Sequence, residues 1–195
     1  MEPAAPSEIF PHVRIVLGMV IGLGIARILT GVASFIQHPG RNRVSVLHMF
    51  WAASILIELV LFWWWEFGLS RISYWSFSVF LFLISYAVVL FLLAALLFPD
   101  NISEYGGYED FFIKRRRWFF ALLAATFVFD VVDTLIKGPE HWNRLSAEHL
   151  VQVPLGLVLC TVAWAFKNRK VQLAVVLIHI TYQFIWIARV FNRIH

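Results

Sequence analysis

The sequence predicts an all-α integral membrane protein built from six transmembrane helices. Three observations carry that expectation. Of the 195 residues, 61% are hydrophobic and only 14% charged, where a soluble domain has roughly 25% charged residues and about half apolar ones. Six apolar runs are each long enough to cross a bilayer, which takes about 20 residues. The segments between them are short, so no soluble domain fits beside the spans. The predicted spans cover residues 13–37, 44–66, 73–98, 116–137, 149–167 and 170–192 of one domain, 1–195.

Span one follows "MEPAAPSEIFPHVR", which is acidic and proline-bearing and has no basic n-region. It does not read as a cleaved signal peptide, so the first apolar run is expected to be a true span. Gly18 and Gly22 form a GxxxG pattern suited to close helix packing, while Gly24, Arg27, Gly31 and Ser34 form a small or polar stripe. Both features predict a central helix or a contact between copies of the chain. Span two contains Glu58 and runs into "WWWEFG", which with Trp75 has the composition of an interfacial aromatic belt. Span three has no charge and is expected at the periphery.

The connection 99–115 ends in "KRRR". Within it "YEDFFIKRRRW" predicts a short interfacial helix with Asp110 and Lys114 paired one turn apart. Arg115, Arg116, Arg117 and Trp118 are candidate contacts for the lipid bilayer and its anionic lipids, with Trp164 at the same boundary. Spans four to six each carry a polar stripe at helical spacing. These are Thr126, Asp130, Asp133 and Lys137; then His149, Gln152, Gly156 and Cys160; then Gln172, His179, Gln183, Trp186 and Arg189. A polar stripe on a membrane helix turns inward, leaving the apolar face to lipid.

Orientation follows the Lys/Arg bias of short loops. Loops one, three and five carry Arg41, Arg43, Lys114, Arg115, Arg116, Arg117, Lys167, Arg169 and Lys170. The opposite side carries Arg14, Arg71, Lys137, Arg144, Arg189 and Arg193. Nine against six predicts both termini on the outer side, in a bacterial inner membrane. An offset of 101 residues relates His48 to His149 and Trp63 to Trp164, with Pro39 and Pro139 at nearly the same offset. That correspondence raises the possibility of a three-plus-three inverted repeat, an arrangement that places a site at the repeat interface.

The charges inside the spans are the functional signal. By the helical rise, Arg27 lies at about 15 Å from the inner boundary, His179 at about 13–14 Å, Glu58 and Asp130 at about 21 Å, and Asp133 at about 25 Å. A charge at mid-bilayer costs at least ~2.5–3.5 kcal/mol, so these side chains must face one another or a wet cavity. Arg27, Glu58, Asp130, Asp133 and His179 are therefore the candidate path for an ion or small charged solute, with the aspartates as counter-charges to Arg27. A membrane channel or transporter, working as a homo-oligomer, is the function this predicts. The alternatives are a non-catalytic sensor or accessory subunit, and a haem- or metal-dependent membrane enzyme.

No cofactor is expected. The one haem option is His48 with His179, the only histidine pair near one depth. Cys160 is the single cysteine, which excludes an intrachain disulfide and a Cys-cluster metal site. HExxH, Gly-x-Ser-x-Gly and P-loop motifs are absent from the sequence, so no enzyme activity is expected. The net charge of +4 is carried on loops and helix ends, where it sets topology. Nucleic acid is not an expected partner.

Overall fold

The computed structural model describes residues 6–38, 40, 44–72 and 75–191. Six helices run α1 Pro6–Gln37, α2 Val46–Trp65, α3 Phe77–Ala95, α4 Tyr108–Ile136, α5 Pro139–Ala165 and α6 Arg169–Phe191. A 3-10 turn, Glu66–Arg71, continues α2. The fold is 86% helical, with no strand among the described residues. Six of its helical segments are long and apolar enough to cross a membrane. Arg41, Arg43, Arg193 and Pro39, used above for orientation and repeat, lie outside the described residues.

Local sequence sets the helix ends. Ser45 and Ser76 cap α2 and α3, their hydroxyls accepting from the His48 and Val79 amides at 3.4 and 3.2 Å. Capping of this kind satisfies amides that have no partner within the helix. Three helices, α1, α4 and α5, start earlier than the apolar runs suggest. Gly107, at φ +118°, closes the α3–α4 loop and lets α4 begin at Tyr108. The expected interfacial helix is thus the start of α4 itself, and its Asp110–Lys114 pair forms at 2.7 Å. Gly138, at φ +99°, turns the corner into α5, and Pro139 opens that helix. A proline there gives up an N–H that would be unpaired in any case.

α1 packs most closely on α3, α4 on α5, and α3 joins the two pairs, while α6 lies against α2 and α5. Span three packs one face between α1 and α4, while Phe77, Leu81, Val88 and Leu92 on its other side stay exposed. Its Ala87 and Ala94 are fully buried, and small residues let backbones approach in a membrane. The close approach on α1 uses Gly24 and Gly31. A Cβ on Gly31 would fall 2.2 Å from the Phe98 ring, and one on Gly24 would meet Leu59 and the Phe91 backbone. Gly22 of the GxxxG pattern faces open space. The contacts also do not mirror a three-plus-three repeat. Its counterpart to α1–α3 would be α4–α6, and among the described residues those two backbones do not approach.

The boundary aromatics divide. Trp63, Trp64, Trp118 and Trp164 are exposed, and Arg117 lies 4.8 Å over the Trp164 ring, as an interfacial belt requires. Arg115 is also exposed and donates to the Tyr105 hydroxyl at 3.0 Å. Arg116 is not available to lipid, because it is buried and its Nη1 donates to the Ile113 carbonyl at 3.0 Å. The charge run crosses a helix with 3.6 residues per turn, so its members cannot all share one face.

Candidate functional site: an acidic cavity between helices

α2, α4, α5 and α6 line a partly open cavity of about 80 Å³, to which α3 adds Tyr86 and α1 adds nothing. Its charged end lies where α2 meets the 3-10 turn and α4 meets α5. There Lys137, the last residue before the Gly138 corner, donates to Asp133 Oδ2 at 2.5 Å and Glu66 Oε1 at 3.1 Å. The three side chains are 1%, 7% and 4% exposed. Glu66 is the residue at which α2 tightens into the 3-10 turn, which delivers its carboxylate to the α4 terminus.

One turn inward, His149 Nε2 lies 3.0 Å from the Thr134 hydroxyl and Nδ1 lies 3.7 Å from Asp130 Oδ2. The His149 ring stacks on Trp142. Asp130 accepts only a long bond, 3.5 Å, from Gln152, and 34% of its side chain is open. Deeper still, Gln183 donates to Glu58 Oε1 at 2.6 Å and accepts from the Ser54 hydroxyl at 2.9 Å. Glu58 sits eight residues before Glu66, about 12 Å along the helix. Beyond it an aromatic wall closes the cavity. Trp51 lies 5.3 Å from the His179 ring, 5.0 Å from Phe119 and 5.4 Å from Phe120, all centroid to centroid.

Two properties distinguish this void from a packing defect. Five carboxylates line it (Glu58, Glu66, Asp130, Asp133 and Glu148) against one cation of the Lys/Arg type, Lys137. Glu148 also meets Arg189, at 3.3 Å, on an arginine more than half exposed. The second property concerns buried polar atoms without a partner, of which there are 12 among the described residues. Seven belong to residues lining this cavity. Glu66 Oε2 and Asp133 Oδ1 are acceptors; the indole N–H groups of Trp65 and Trp186 are donors; His149 Nδ1, His179 Nε2 and the Tyr182 hydroxyl can be either. Buried polar groups are normally paired. A concentration of unpaired ones on the residues around a single void makes it the candidate polar site of the fold.

Of the residues singled out by sequence, Glu58, Asp130, Asp133 and His179 are brought together on this cavity. Arg27 is not. It pairs with Asp100 of the α3–α4 loop and lines a separate cleft with Ser34, His38 and Asn101. Helical rise fixes depth but not direction around the helix, and the α1 stripe turns toward α3 and its loop. The counter-charge to the aspartates is Lys137. His48 also lies elsewhere, its Nε2 2.7 Å from the Leu97 carbonyl and its ring set among Phe35, Phe98 and Tyr108. That environment gives the His48–His179 haem option no support.

Glu66, Glu148 and Tyr182 are site residues that sequence reasoning missed. Tyr182 carried a usable signal, since it stands one turn from His179 on the same face. Among the described residues no three His, Cys, Asp or Glu side chains converge as a metal-holding group. No protein-family model matches the chain, and neither the curated proteins nor the solved structures contain a significant match to it.

Proposed function

We propose that the protein is a membrane transporter for a cation, with the acidic cavity as its binding site. The observation that carries this reading is the charge balance of the cavity lining, five carboxylates to one lysine. With Arg27 directed elsewhere and Lys137 held by two carboxylates, no free Lys or Arg among the described residues lines the cavity to meet an anionic cargo. A wall of packed aromatics at one end fits a gated carrier better than an open pore. Assembly of several copies belongs to the same reading, through the exposed α1 face of Ile15, Met19 and Leu23 beside the open Gly22.

The test is flux into proteoliposomes, with protons, Na⁺, K⁺, methylammonium and Cl⁻ offered in turn. Cation flux is expected from the wild type. Asp130→Asn should reduce it by about tenfold or more, the loss expected when a charged partner is removed. Arg27→Gln should leave it within about fivefold, because an exposed ion pair contributes about 0–1 kcal/mol. Chloride flux, or no cation flux from folded wild type, would count against the reading. A sensor or accessory subunit is the second reading, favoured by the closed aromatic end, and cation binding without flux is its signature.

Orientation has its own test. The basic loops support both termini outside, which puts the charged end of the cavity on the outer side. Asn101, in the exposed sequon Asn101-Ile-Ser103, should then escape glycosylation in a microsomal translation system. Modification at Asn101 would reverse the orientation.

A further inference from the structure

Resting on the carrier reading, we propose that the cavity takes a small primary ammonium ion, an alkylamine in its protonated form. The unpaired acceptors argue for a cation that carries N–H donors. Glu66 and Asp133 are 3% and 5% exposed, both line the cavity, and each has one carboxylate oxygen without a partner. The Tyr182 hydroxyl is likewise unpaired, and Asp130 has only its long bond to Gln152. An alkylammonium head brings three donors and one positive charge. It therefore satisfies several of these groups at once.

The walls suit the rest of such a molecule. Trp65 and Trp186 meet at 5.5 Å, and Phe62 meets Tyr86 at 4.8 Å, with Phe127 and Leu159 also on the lining. Aromatic faces attract cations, more strongly when water is excluded, and the apolar remainder accepts an alkyl group. A void of about 80 Å³ also exceeds the roughly 30 Å³ share of one water in the liquid.

Other cargoes fit less well. Ca²⁺ takes about six to eight oxygen ligands and Mg²⁺ demands octahedral geometry, whereas no three acidic or histidine side chains converge among the described residues. A quaternary ammonium has the charge but no N–H, and would leave the buried carboxylate oxygens unpaired. A proton needs neither the volume nor the aromatic walls.

The test is equilibrium binding of radiolabelled methylammonium to the purified full chain in detergent near neutral pH. Competitors are ethylammonium, tetramethylammonium, Na⁺ and ethanol. Saturable binding is expected, displaced by ethylammonium, displaced about tenfold more weakly by tetramethylammonium, and indifferent to Na⁺ and ethanol. Asp130→Asn should weaken it about tenfold or more, while Asp130→Glu, which keeps the charge, retains it. Helicity and gel-filtration profile matched to wild type verify that both variants fold. Absence of saturable binding to folded wild type overturns the proposal, as does equal displacement by tetramethylammonium or Na⁺. Flux of another cation without methylammonium binding overturns this inference and leaves the carrier reading standing. Methylammonium binding without any flux does the reverse.

Discussion

Lys137→Met should destabilise the protein by about 3–5 kcal/mol, the usual result of removing one member of a buried ion network. Lys137 is the single bonded partner that Glu66 and Asp133 share, and all three side chains are nearly inaccessible. Without the ammonium, two carboxylates face each other where water cannot screen them. Methionine matches the length of the lysine stem, which passes beside Gly68, so the packing loss is small and the charge loss dominates. Lys137→Met combined with Glu66→Gln should recover part of the deficit, because one of the two stranded charges is gone. Thermal or denaturant unfolding in detergent gives both values, and the double-mutant cycle gives the coupling. A single-variant effect below about 1 kcal/mol would mean that the three groups are not held as a charged unit.

Trp51→Ala should cost a similar amount, about 3–5 kcal/mol, as truncation of a large buried aromatic does. Trp51 is completely buried, with Phe112, Phe119, Phe120 and His179 packed around it. Its second effect is on the barrier. The indole packs on His179 at one end of the cavity and on Phe112, Phe119 and Phe120 of α4, so on the proposed carrier reading its removal shortens the closed part of the path. Proteoliposomes bearing the folded variant should leak protons or monovalent cations down an imposed gradient, where wild type holds it. Trp51→Phe keeps an aromatic wall and should stay tight. A folded Trp51→Ala protein that does not leak would place the barrier elsewhere.

Depth was readable in the sequence and direction was not. Hydropathy located six spans, and the regular rise of a helix put Glu58 and Asp130 at one level, where the structure joins them on one cavity. The same arithmetic put Arg27 nearby in height, yet its side chain turns to Asp100. That contact depends on how α1 rotates against α3 and on the path of a loop, neither of which a hydropathy pattern encodes. Glu66 was masked by its setting. Inside "WWWEFG" it looked like part of an interfacial belt, and only the 3-10 turn after α2 swings it into the protein. Lys137 was visible as the partner of Asp133 one turn away, because that contact is local. Its bond to Glu66, 71 residues distant, was not.

Those long separations have a consequence for how the chain is made. Glu66 meets Lys137 across 71 residues, and Glu58 meets Gln183 across 125. During synthesis from the N-terminus, α2 is complete well before either partner exists. An uncompensated charge at the bilayer centre costs about 2.5–3.5 kcal/mol, and the side-chain partner of Glu58, Gln183, lies on α6. Until α6 emerges, Glu58 is favoured in its neutral form or in contact with water. α6 thus supplies the partner that α2 cannot find in any helix made before it.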